Sequence, residues 1–225
     1  MSFETAYGHL AAADPVLRQL VRTVGRPDPF TWEKRGYPTS SHFAALVLHI
    51  VGQQISTAAA LAIFGRISAS MGGDITPAGL LGLPEGGLRA CGLSRIKASY
   101  LHDLARRQAD GAIDLENMGD VDDATALADL TAVRGVGLWS AEMFLLHQLK
   151  RPDIMPAGDH GIRRAIQRAW RLDAVPGIEE TRHRALPWAP YRTYAAALLW
   201  TSLSALAPFG DGPGGGACRA QERAR

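Results

Sequence analysis

Two cysteines in 225 residues, Cys91 and Cys218, exclude a disulfide framework and leave too few thiolates for an iron–sulfur cluster held by four cysteines of one chain. Long apolar runs are missing too. No stretch is long enough to span a bilayer, and the opening MSFETAYGHLAAADPV lacks the basic start and apolar centre of a signal peptide. A reducing, cytoplasmic setting without membrane attachment is expected. Charge of one sign is equally scarce. Lys and Arg number 24 against 22 Asp and Glu, a net charge of +2, so only a local basic face could announce a nucleic-acid ligand. β-Branched runs in alternation are few, which removes the usual signal for paired strands.

What remains is helical. Asp14 followed by Pro15 opens an amphipathic helix around DPVLRQLVRTVG, and the turn-rich RPDPFTWEKRGYPTS after it reads as a connector lying on a core. From residue 42 the pattern is dense. SHFAALVLHIVGQQ sets Phe43, Leu46, Val47, Ile50 and Val51 at helical spacing, and STAAALAIFGRISASMGG starts at Ser56 or Thr57 and closes on Gly72-Gly73. TPAGLLGL opens a short helix. SRIKASYLHDLARRQADG turns Ile96, Tyr100, Leu101 and Leu104 inward. Further helices fit 122–132, 138–149, 160–171, 178–186 and 191–206, about ten in all. The fold class is all-α. The chain divides into an N-terminal segment, 1–41, packing on a helical core, 42–206, and a Gly-rich charged tail, 207–225.

Within the core, VRGVGLWSA places Gly135 and Gly137 one residue apart before a helix. Such a turn bares backbone N–H groups at a helix N-terminus, where the dipole favours an anion, and a nucleic-acid phosphate suits it. Read alone, the glycine pair favours an ordinary tight turn between helices. Downstream, Asp159 stands before HGIRRAIQRAW as an N-cap, a place that suits a negative charge. Asp153 is the competing acid and reads as a turn residue.

Four stretches occur in a telling order: HIVGQQIST, CGLSRIKASYLHDLA, LTAVRGVGLWSAEMFLL and RPDIMPAGDHGIRRA. From about 42 to 203 the chain resembles the helix-hairpin-helix Gly/Pro/Asp superfamily of base-excision DNA glycosylases, in its DNA-3-methyladenine glycosylase II branch. The resemblance implies two helical lobes with a central cleft, a hairpin at about 125–149, and Asp159 as the catalytic residue. The β-rich lobe of larger bacterial members is expected to be missing. Bifunctional members carry a lysine two residues after the second hairpin glycine, where this chain has Trp139. A monofunctional enzyme is therefore implied, one that hydrolyses the N-glycosidic bond of alkylated bases and leaves an abasic site.

The same resemblance assigns the base pocket to Trp139, Trp200, Gln53, Met143 and Tyr191; its width depends on side-chain packing, with Met143 and His49 expected to widen or narrow it. Electron-rich indoles suit bases that alkylation has made cationic. Gln54 takes the place of the side chain that wedges into the stack when a base is flipped, where relatives often have an apolar residue. Backbone contacts fall to Gly135, Gly137, Ser140, Arg134, Lys97 and Arg163. Carbonyls of Thr131, Val133 and Val136 are implied to hold a monovalent cation, sodium or potassium, and no other cofactor is expected. The expected partner is damaged double-stranded DNA, bound by a monomer. A non-catalytic helix-hairpin-helix DNA-binding module is the alternative; it accounts for the two glycines but not for the tryptophans.

Overall fold

The computed structural model describes residues 2–31, 39, 41–84 and 86–206. The tail 207–225 and connector residues 32–38 lie outside these. The described residues contain no strand and fold into α1 (Phe3–Ala13), α2 (Pro15–Val24), α3 (His42–Gly52), α4 (Thr57–Ser70), α5 (Pro77–Gly82), α6 (Gly87–Ala90), α7 (Arg95–Ala109), α8 (Asp123–Thr131), α9 (Leu138–His147), α10 (His160–Trp170), α11 (Ile178–Arg184) and α12 (Arg192–Leu206). Side-chain caps set the starts. Asp14 accepts from the N–H groups of Val16 and Leu17, with Pro15 at the first helical position where no N–H is needed. Ser56, Ser94 and Asp122 cap α4, α7 and α8 in the same way.

Two lobes result. In one, α3 packs on α4, α7 and α9, while α5 and α6 cover α7 and α8 pairs with α9. α3 is buried on nearly every face, from Phe43 to Val51 with His49 alone partly exposed, and α9 is buried from Ser140 to His147. A helix apolar all round belongs at a centre, and these two form it. In the other lobe α12 packs on α10, α2 and α1. The first two described helices and the last thus share one lobe, and helices between them build the other. α1 was not anticipated from the sequence: its weak amphipathic pattern is settled by Ala6, Tyr7 and Leu10, which bury against the returning C-terminal helix.

Ile96 is a correction. It was expected inward, yet it is 63% exposed. Ala98, Leu101, Leu104 and Ala105 form the buried face of α7. At about 100° per residue Ile96 lies on the far side of the helix from them.

The segment from α9 to α10 crosses between the lobes and is pinned along its length. The Arg192 guanidinium grips Asp153 through two bonds of 2.7 and 2.8 Å. Thr193 accepts from the Ile154 N–H at 3.0 Å and donates to the Arg151 carbonyl at 2.7 Å. Asp153 is therefore a structural ion-pair partner. The anchored segment ends at Asp159.

Candidate active site

Asp159 is the N-cap of α10, and its position explains its geometry. Oδ1 accepts the Ile162 N–H at 2.9 Å and the Trp200 indole N–H at 3.0 Å. Oδ2 accepts the Trp139 indole N–H at 3.2 Å. Trp139 comes from the first turn of α9 and Trp200 from α12, so the carboxylate joins both lobes. Each carboxylate oxygen has about two lone-pair sites. Oδ1 is filled, whereas Oδ2 keeps one open to an incoming group.

The tryptophans do more than hold Asp159. Trp139 is 45% exposed, so its ring presents surface to the cleft. The Trp200 ring is backed by His147 at a centroid separation of 6.2 Å and 22° between planes. His147 lies two turns beyond Trp139 on α9, and the sequence pointed to neither it nor Gly161 as part of the site. A Cβ on Gly161 would meet Asp159 Oδ1 at 2.9 Å and Trp200 at 3.6 Å, so the missing side chain makes room for the carboxylate. A lone glycine inside a helix was the available signal.

The hairpin between α8 and α9 is equally specific. Gly135 has φ +84°, and a Cβ there would fall 2.1 Å from the Tyr100 ring. Only glycine permits this approach. Gly137 caps α9 without a side chain, and nothing lies within 4 Å of where its Cβ would be. First-turn amides are left facing outward, as an anion requires. The Gln53 amide donates to the Gly135 carbonyl at 2.9 Å and ties the end of α3 to the turn. The Arg134 N–H donates to Asp103 at 3.1 Å. Burial pushes the Asp103 carboxyl up, but the bonds from Arg134 and Arg107 outweigh it and hold the group below the usual carboxylate range.

Of the expected backbone contacts, Gly135, Gly137 and the exposed Arg134 lie together at this turn. Three others do not fit their expected roles. Ser140 is 8% exposed, because the third position of α9 already points into the lobe. The Lys97 ammonium donates to the Val51 carbonyl at 2.8 Å and to that of Gln53, and partial burial lowers its pKa. It braces the α3–α4 turn instead of reaching for phosphate. Arg163 turns toward the Pro176 carbonyl, 3.4 Å away, with its Nε buried.

Tyr191 is also a correction. It stacks edge-on with His9 at 5.2 Å and Tyr194 at 6.0 Å, in an aromatic cluster of the first and last helices, because α1 covers that face. Met143 is buried one turn beyond Trp139. Gln54 is exposed in the turn after α3, held in the left-handed region at φ +60°. Glu142, on the same helix, is buried, and burial pushes its carboxyl up to about 7 while Arg182 pulls the other way.

Comparison with known proteins agrees with this geometry. The family model for HhH-GPD superfamily base excision DNA repair proteins matches residues 47–190. DNA-3-methyladenine glycosylase 1 of Schizosaccharomyces pombe is 31% identical over 195 residues, covering 85% of this chain and 84% of that protein. The solved structure of S. pombe 3-methyladenine DNA glycosylase in complex with abasic DNA superposes with a TM-score of 0.75, covering 89% of this chain and 97% of the other at 31% identity. DNA-3-methyladenine glycosidase from Bacillus halodurans superposes with a TM-score of 0.68 at 30% identity, covering 84% and 89%. With the hairpin, the capped aspartate and the two-lobed fold in place, the chain belongs to the HhH-GPD superfamily of base excision DNA repair proteins.

Proposed function

We propose that this protein is a monofunctional DNA glycosylase that hydrolyses the N-glycosidic bond of alkylated bases flipped out of duplex DNA, in base excision repair. The observation that carries this reading is Asp159, fixed by three N–H donors between the rings of Trp139 and Trp200. As the base departs, positive charge develops on the sugar, and a preorganised carboxylate stabilises it. The open site on Oδ2 also serves to take a proton from the attacking water. N-Alkylated purines carry positive charge that weakens the bond, so the leaving base needs little help, and an exposed indole face attracts the cation.

Neither described lysine is placed for a covalent step. The chain has three lysines, Lys34, Lys97 and Lys150. Lys34 lies outside the described residues, Lys97 is bonded to carbonyls, and Lys150 lies beyond the C-terminal end of α9, whose first turn carries Trp139. Hydrolysis without strand cleavage is the expected outcome.

The protein acts as a monomer on damaged duplex DNA. The hairpin amides and Arg134 hold the backbone, while Gln54 fills the gap left by the flipped base. Among the described residues no donor reaches the carbonyls of Thr131 or Val136, and the Val133 carbonyl accepts only the Val136 N–H at 3.1 Å. Three neutral carbonyls with open lone pairs suit a monovalent cation, which would bridge a phosphate to the turn. No helix among the described residues is long and apolar enough to cross a membrane.

The test is release of free base from methylated duplex DNA by wild type and Asp159→Asn, with affinity for an abasic-site duplex measured beside it. The expected result is release by the wild type, a loss of about 10²–10³-fold or more in the variant, and abasic-site binding by both. Binding by both proteins with release by neither would make the chain a DNA-binding module and overturn the proposal.

A further inference from the structure

His49, read from the sequence only as a residue that sets the width of the pocket, is a polar side chain of the central helix α3. It stands in the last turn of α3, among residues that are otherwise buried, and is itself partly exposed. Four residues on, one turn along the same face, Gln53 reaches the hairpin carbonyl of Gly135. The His49 ring lies 6.4 Å from that of Phe144, the neighbour of Met143 on α9. This sets an imidazole between the turn carrying Gln53 and the helix carrying Trp139 and Met143.

The other histidine of α3 provides a contrast. His42 Nδ1 is bonded to the Leu115 carbonyl at 2.8 Å and has a structural partner. No described residue donates to or accepts from the nitrogens of His49, whose one ring contact is with Phe144. A polar ring this enclosed, unbonded yet still accessible, is arranged for something that enters from outside. Resting on the glycosylase reading above, we propose that His49 is a specificity-determining residue of the base pocket whose ring nitrogens hydrogen-bond the exocyclic group of the flipped alkylated purine.

The charge state agrees. Burial lowers the imidazole to about 4, so the ring is neutral at physiological pH and does not repel a cationic base. A neutral imidazole carries one donor and one acceptor. It can accept from an exocyclic amino group or donate to an exocyclic oxygen, which serves both adenine-type and guanine-type adducts.

The experiment compares wild type, His49→Phe and His49→Asn for single-turnover release of 3-methyladenine and 7-methylguanine from methylated duplex DNA. Affinity for an abasic-site duplex, which presents no base, is measured alongside. Phe keeps the ring and its packing but not the hydrogen bond; Asn keeps donor and acceptor but leaves a smaller side chain. The expected order is wild type, then Asn, then Phe, with Phe about tenfold slower than wild type and abasic-site affinity unchanged throughout. Release by Phe equal to or faster than by Asn would assign His49 to packing and overturn the proposal. Loss of abasic-site binding in both variants would assign it to the fold and do the same. If the wild type releases no base, the glycosylase reading fails and this inference falls with it, a result distinct from the other two.

Discussion

Two pairs of tryptophans divide this protein into a part that works and a part that holds. Trp139 and Trp200 come from different lobes and donate their indole N–H groups to one carboxylate, and Trp139 is largely exposed. Trp170 and Trp188 lie against each other at 5.7 Å, under the Arg184 guanidinium, with Trp188 fully buried and its Nε1 without a partner among the described residues. The same side chain thus serves twice. Where its N–H reaches the carboxylate, it shapes chemistry; where the ring is buried and its N–H is idle, it is core. Composition cannot separate the pairs. Hydrogen-bond partnership does.

The largest expected effect lies on the structural side. Trp188→Ala should lower the unfolding free energy by about 3–5 kcal/mol, read from the midpoint of a urea titration. Trp188→Phe should cost far less, since the idle N–H contributes no bond. If Trp188→Phe instead abolished base release while leaving stability intact, the division would be wrong.

Glu142 sharpens the comparison by pH, since it sits one turn from Trp139 but is buried like the core pair. Burial raises its folded pKa from the ordinary glutamate value of 4.5 to about 7, so the unfolded chain releases its proton first as pH rises. Its contribution to stability is therefore full below about 4.5 and is lost as pH climbs through about 7. Glu142→Gln should gain on the order of 2 kcal/mol over wild type at pH 8 and almost nothing at pH 4, in parallel thermal or denaturant melts.

On the working side, Trp200→Phe removes one of three donors from Asp159 while keeping an aromatic wall. Base release should fall by about 10–100-fold, with thermal stability little changed. Gly161→Ala gives the mildest test. Its methyl would meet Asp159 Oδ1 at 2.9 Å, and a slower single-turnover rate of about tenfold is expected with the helix itself intact. A variant as fast as wild type would show that the carboxylate tolerates displacement.

Much of this was legible beforehand. Caps such as Asp14 with Pro15, Ser56 and Ser94 announced helix starts because they act through bonds two or three residues away. Gly135 and Asp159 stood out for the same reason: a turn and an N-cap are local statements. Lys97, Arg163 and Tyr191 were misplaced because a side chain's destination depends on what packs opposite. The Lys97 ammonium found two carbonyls 44 and 46 residues upstream, and Tyr191 found His9. The importance of His147 and Gly161 was hidden for a related reason: His147 backs Trp200, and Gly161 makes room where Asp159 and Trp200 meet, both contacts that only the fold creates.

The sequence by itself determined the all-helical class, the order of the helices, the glycine turn and the capping aspartate, because these rest on short-range spacing and backbone hydrogen bonds. Only the tertiary structure decided that the first two helices join the last ones, that Asp153 is tied to Arg192 while Asp159 faces two indoles, and which tryptophans are core. Those outcomes depend on contacts between residues tens of positions apart, where burial and partner geometry outweigh any local preference.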